Sequence, residues 1–380
     1  MTAKILIAGD LAPIGMAEEA IRAGNQDWFS DGLGQMWDQA DFRVANLECP
    51  LIDSPSPPAK TGPSLGVVTK TAEALGGFSL IGLANNHILD HGEKGLLHTM
   101  RLLDKSAIPF VGAGNNLEHA AKPWVANING IKVGFLAWSH REFCIATDES
   151  AGAFPIDLVQ GLPILEKLNS ECDFVILLYH GGVEHFPYPT PRQRQRCRFL
   201  ASRGVDFIFC QHSHIVGAVE RVGSSTIVYG QGNFCFDWPG KNNIPYFCSG
   251  IICELELSKS DEPKINIVPT VHSLDNGLGP AIANEEKAAL MLQEIDRCSA
   301  ILVDHDRYRS EWKKWCVRIA EQYLLRQIPV GRVGRKILKM SGIAKLLNTS
   351  NRVLWNLNRI ECEAHSETTA AGLKEMAKLK

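Results

Sequence analysis

Long apolar runs are missing from this sequence. No segment reaches the ~18 apolar residues that a membrane-spanning helix needs. The opening stretch, Met1 to Asp10, meets an acid after too short an apolar run for a secretory leader. Paired-cysteine motifs are missing as well. The eleven cysteines are an odd number without a Cys-x-x-Cys pair, and Cys210, Cys235 and Cys253 sit in apolar runs, where a thiol behaves as a small hydrophobe. This argues against a disulfide framework and predicts a reduced, cytoplasmic protein. Neither a Gly-x-x-x-x-Gly-Lys-Ser/Thr loop nor a Gly-x-Ser-x-Gly elbow occurs, which sets aside two large enzyme classes. Excess charge of one sign is also lacking: 39 Lys and Arg stand against 42 Asp and Glu, a net of −3. No nucleic-acid partner is expected from that balance or from any binding motif.

What is present is a globular composition. The 380 residues are 45% hydrophobic and 21% charged, enough for two or three structural units with a sizeable core. Short, continuous apolar runs predict strands at Ile5–Ala8, Phe42–Leu47, Leu80–Ala84, Phe110–Gly112, Val133–Trp138, Phe174–Tyr179, Val205–Cys210 and Ile227–Tyr229. Helical spacing appears at 93–105, 158–168 and 193–202, and a closing hairpin at 247–257 with 264–271. Continuous runs suit strands buried on both faces of a layered α/β protein. After residue 280 strand patterns vanish and helical periodicity takes over, at 285–301 and 307–328. Two domains are therefore expected, 1–280 and 281–380. Between His305 and Arg359 thirteen Lys or Arg face three Asp or Glu, a local balance of +10, so the rest of the chain carries −13.

Metal-compatible side chains gather where the predicted strands end. Asp10 follows the first. Asn46 and Glu48 close the second, and Asn85, Asn86, His87 and Asp90 follow the third. His180 ends the Phe174 run, His212 and His214 the Val205 run, and Asn233 follows Ile227–Tyr229. Ligands of α/β sheets bind at carboxyl ends of strands. Carboxylate, amide oxygen and imidazole together suit one or two divalent ions such as Mn, Fe or Zn. The chemistry at stake is activation of water and stabilisation of an oxyanion. His212 and His214 reach one site if the backbone turns between them.

Gly9-Asp10, Ala45-Asn46-Leu47-Glu48, Leu83 to Gly92, Val111 to Gly114, His180 to Glu184, Gln211-His212-Ser213-His214 and Tyr229 to Phe234 resemble successive motifs of the CapA family of capsule and poly-γ-glutamate biosynthesis proteins. The resemblance covers roughly residues 4 to 255. It implies an α/β calcineurin-like metallophosphoesterase fold, a β-sandwich of two mixed sheets flanked by helices, here with a helical C-terminal extension. It implies Asp10 and His214 at one metal, Asn86, His180 and His212 at a second, and Glu48 between them. His87 would protonate a leaving group or steady an oxyanion, oriented by Asp90, while Asn46 and Asn233 position ligands. Ala12 stands where the wider superfamily has a His, which implies a first site that is either weak or empty. The implied activity is hydrolysis of a phosphoester or a γ-glutamyl or related amide bond in capsule, poly-γ-glutamate or exopolysaccharide biosynthesis. The alternative is a non-catalytic accessory subunit of a polymer synthase or exporter.

Other residues admit two readings. Asn85, Glu184, His185 and His140 either line the pocket or are structural. Arg192, Arg194, Arg196 and Arg198 either bind an anionic small-molecule or polymer substrate or form a solvated helix face, with Arg192 and Gln193 the candidates for the first role. The segment 305–359 mixes Arg332, Arg335, Lys336 and Lys339 with Val333, Ile337, Leu338, Met340, Leu346, Leu347, Val353, Leu354 and Trp355. It either lies on an anionic membrane as a peripheral contact or packs as a helical appendage. Proteins of capsule or polymer synthesis are the expected partners.

Overall fold

The computed structural model describes the chain apart from residues 26–27, 30–31, 59, 61, 239–246, 273–278, 329, 341–349, 363–364, 367, 371 and 374–380. Leu346 and Leu347 of the amphipathic segment lie outside the described residues. Two compact units form, Met1–His305 and Asp306–Lys380.

The first unit contains two mixed sheets. One has the strand order Ala281–Ile282, Lys264–Val271, Ser249–Ser258, Thr2–Ala12, Phe42–Leu47, Leu80–Gly82, Phe110–Val111. The other runs Val219–Val222, Ser225–Val228, Phe207–Gln211, Phe174–His180, Ile131–Ser139, Trp124–Ile128. Within each, the central strands are parallel. That is why continuous apolar runs make them: Ile5, Leu6 and Ile7 are all buried, although neighbours point to opposite faces. The sheets face each other. Phe42 stacks on Phe135 with ring centres 5.2 Å apart, and a Cβ on Gly82 would lie 2.8 Å from Leu178 Cδ1. Parallel strands end at a common edge, so their C-terminal residues converge.

The hairpin forms from Ser249–Ser258 and Lys264–Val271, paired antiparallel. Trp124–Ile128, Val219–Val222, Ala281–Ile282 and Asn233–Phe236 were not anticipated. Asn233–Phe236 is only four residues long and pairs parallel with the end of Thr2–Ala12, placing Asn233 opposite Asp10. Asn233 therefore opens a strand of its own and does not simply trail the Ile227 strand.

The helix Glu285–Val303 is capped by the Asn284 side chain and belongs to the first unit. Its buried Met291 and Ile295 join the main core, and Ser299 Oγ accepts a 2.8 Å hydrogen bond from Val219 N. The division thus falls after His305, whereas the loss of strand pattern suggested 280. Its apolar stripe is covered by the sheet, so helical periodicity alone did not mark a separate domain. In the second unit, the helices His305–Arg326 and Ser350–Glu361 are tied by Arg352 to Leu324 O at 2.8 Å and by Gln327, just past the first helix, to Asn356 at 2.7 Å. Among the described residues, no helix is long and apolar enough to cross a membrane.

Candidate metal centre

Asp10 leaves the strand Thr2–Ala12 at a break in pairing. The register shifts between Ile7 and Asp10 on one side and between Asp10 and Leu11 on the other, a device that re-aims a side chain. Gly9 makes the approach possible, since a Cβ there would meet Gly232 O at 2.4 Å. The Asp10 carboxylate is fully buried. It accepts hydrogen bonds from Asn46 Nδ2 and His212 N, each at 2.8 Å.

Glu48 sits just past the strand Phe42–Leu47 and is also fully buried. Neither of its oxygens has a hydrogen-bond donor among the described residues. Oε1 lies 3.4 Å from His180 Nε2 and 3.9 Å from His214 Nε2. Burial first, then the neighbouring charge of Asp10, pushes its carboxyl well above the usual range. Burial raises Asp10 too, with His214 acting against it. Burial and then the surrounding imidazoles hold His180 and His212 well below the usual histidine range.

Crowded buried carboxylates beside neutral imidazoles lack one thing, a positive charge. The donor atoms of Glu48, His180 and His212 lie within 4.8 Å of one another, and so do those of Asp10, Glu48 and His214. Glu48 is common to both groups. Asn86 Oδ1 stands 2.8 Å from His180 Nε2 and can join the first. His212 Nδ1 is buried without a partner among the described residues. The donor set fits one or two divalent cations.

Backbone geometry delivers the two histidines of His212-Ser213-His214 together. Both have positive φ, 85° and 56°, a conformation that is uncommon outside glycine and recurs at functional sites. Asn233 Nδ2 donates to Phe247 O, so its Oδ1 accepts from His214 Nδ1 at 2.9 Å and leaves Nε2 open.

His87 is held at its ring and at its backbone amide. Its Nδ1 lies 2.6 Å from Asp90 Oδ2, and its amide donates to Asn85 Oδ1. Asp90 in turn accepts from Leu65 N and pairs with Lys60. Asn85 is committed to bracing, its Nδ2 donating to Leu47 O and Asn46 Oδ1. Lys60 gave no sequence signal beyond a lysine in a proline-rich loop.

The remaining candidates divide. His140 is at the site, its ring 4.5 Å from that of His212, and its Nε2 reaches Glu142, an acid that sequence reasoning did not single out. Glu184 is half exposed, 3.7 Å from His185 Nε2. Gln193 completes a capping box with Thr190 and donates to Gly181 O at 3.0 Å, which positions the turn after His180. Arg192 is exposed at the start of that helix. Arg194 and Arg198 bind Glu220 at 2.6 and 2.8 Å and serve as braces. Ala12 is buried and offers no ligand atom.

Two facing mixed sheets, flanked by helices, gather Asp, Glu, Asn and His at the ends of parallel strands, an α/β sandwich with a candidate metal centre at one edge. The family described as "Bacterial capsule synthesis protein PGA_cap" matches residues 4–238, and the chain belongs to that family. It is 26% identical over 242 residues to "Capsule biosynthesis protein CapA" of Bacillus anthracis, covering 61% of this chain and 59% of that protein. It is 32% identical over 164 residues to "PGA biosynthesis protein CapA" of Bacillus subtilis (strain 168), covering 42% and 43%. The chain thus matches only about half the length of these curated relatives. Among solved structures, a 5'-nucleotidase precursor from Thermus thermophilus aligns with a TM-score of 0.41 at 13% identity, over 80% of this chain and 59% of that one.

Proposed function

We propose that this protein is a metal-dependent hydrolase of capsule, poly-γ-glutamate or exopolysaccharide synthesis, cleaving a phosphoester or a γ-glutamyl or related amide bond. The observation that carries the reading is Glu48, a buried carboxylate with no hydrogen-bond donor among the described residues, placed between two groups of imidazole and carboxylate ligands. Glu48, His180, His212 and Asn86 would hold one Mn, Fe or Zn ion, and Asp10, Glu48 and His214 a second. Such ions supply an activated water and an electrophile for the substrate oxygen.

The protein's own groups do the rest. Asp10 accepts two hydrogen bonds that fix its carboxylate plane. Asn233 sets the tautomer of His214. His87, with Nδ1 engaged by Asp90, keeps Nε2 as the atom that gives a proton to a leaving group or takes one from it. The names of the relatives support an anionic polymer or its precursor as substrate, in company with polymer-synthesis proteins.

The test is metal analysis joined to a turnover screen. Manganese-loaded protein is offered phosphomonoesters, phosphodiesters and γ-glutamyl peptides. The expected outcome is about one or more bound ions per chain, and hydrolysis of one substrate class that stops on chelation and in His87→Ala. Metal-replete protein that turns over none of them would replace the hydrolase reading with that of an accessory subunit.

A further inference from the structure

We propose that the helix Arg332–Met340, together with Ser350–Glu361, docks on an anionic lipid surface. Val333, Ile337 and Met340 fall at i, i+4 and i+7 of the first helix, which places them in one stripe. They are 73%, 59% and 78% exposed. Val353, Leu354, Leu357 and Ile360 repeat that spacing in the second helix, and all four are exposed. Arg335 and Lys336 lie beside the first stripe and form no ion pair among the described residues.

A stripe of exposed alkyl groups edged by cations matches the boundary between lipid headgroups and acyl chains, where the alkyl groups leave water and the cations meet phosphates. The helices have nine and twelve residues, well short of the ~20 that would span a bilayer, so they lie along the surface. Charge selects the occupant. The segment His305–Arg359 carries +10 within a chain of net −3. A second copy on the same stripe would set like charges against each other, whereas an anionic bilayer complements them.

Flotation of the full chain with vesicles tests the proposal. Phosphatidylcholine vesicles are compared with phosphatidylcholine containing phosphatidylglycerol. Binding is expected only to the second, and is expected to fail in high salt, as the screening length drops from ~10 Å at 0.1 M to ~3 Å at 1 M. Arg335→Glu with Lys336→Glu, and separately Val333→Asp with Ile337→Asp, should each weaken binding about tenfold or more, with far-ultraviolet circular dichroism unchanged. If the apolar pair disturbs folding, the charge pair decides. Equal binding to neutral vesicles, absence of binding to anionic ones, or unchanged binding of a folded charge-reversed variant overturns the proposal. A dimer that Val333→Asp with Ile337→Asp dissolves, in protein that ignores vesicles, assigns the stripe to a second copy instead.

Discussion

His87 Nδ1 and Asp90 Oδ2 stand 2.6 Å apart with both side chains almost fully buried. The acid fixes which nitrogen of the imidazole carries the proton and how the ring points, an arrangement shared by catalytic histidines generally. Asp90→Asn preserves shape but can turn an NH₂ toward Nδ1 and reverse the tautomer; it also removes the counter-charge of Lys60, so its kinetics are read at a temperature where the variant is folded. The expected result is normal metal content and a turnover lower by about 10²-fold or more. Steady-state kinetics of the metal-saturated variant checks it, and an unchanged kcat would remove Asp90 from the machinery.

Lys60 and Asp90 form a buried pair, with side chains 7% and 1% exposed. Removing one partner leaves a buried charge uncompensated, at a cost of ~3–5 kcal/mol. Lys60→Met is expected to lower the urea midpoint by an amount of that order. Lys60→Arg should recover much of the loss. If Lys60→Met matches the parent, the pair contributes nothing.

The strand ends were legible because buried parallel strands are continuous apolar runs, and an Asp or His directly after one breaks the pattern visibly. The convergence of Asp10, Glu48, His180, His212 and His214 then follows from strands that end at one edge. Three features were not legible. Asn233–Phe236 is too short to show periodicity, so its pairing with Asp10 was hidden. Lys60 reaches Asp90 across thirty residues of chain, a distance no local pattern spans. Gln193 reads as a substrate group from its place after the proline-rich turn, yet Thr190-x-x-Gln193 is also a capping-box signature, and its amide is used on Thr190 and Gly181.

Asn233 bonds to His214 and to the carbonyl of Phe247, so it orients one candidate ligand without offering a ligand atom of its own. Outer partners of this kind typically account for 10- to 100-fold in metal affinity. Asn233→Ala should weaken binding of the more labile ion by about that factor, measured by competition with a chelator of known affinity. An unaltered titration would separate Asn233 from the metal site.

Glu48 supplies a pH signature that needs no substrate. In chelated protein, folded Glu48 keeps its proton to higher pH than the unfolded chain, where it titrates near 4.5. The folded state therefore binds more protons above that pH, and stability falls as pH rises from there toward the raised folded value. His180 and His212 act in the opposite sense. Their folded values lie below the ordinary 6.5, so their contribution is present above 6.5 and is lost as pH falls beneath it. Glu48→Gln removes only the first effect. Between roughly pH 5 and pH 8, the melting temperature of the chelated variant should decline less with rising pH than that of the chelated parent. Added metal should raise the melting temperature of the parent more than that of the variant, because binding to the intact site stabilises the parent by ~2.7 kcal/mol at a hundred times Kd. Thermal melts with and without chelator read both effects. Parallel pH slopes in the two chelated proteins would mean that Glu48 is not the group left without a counter-charge.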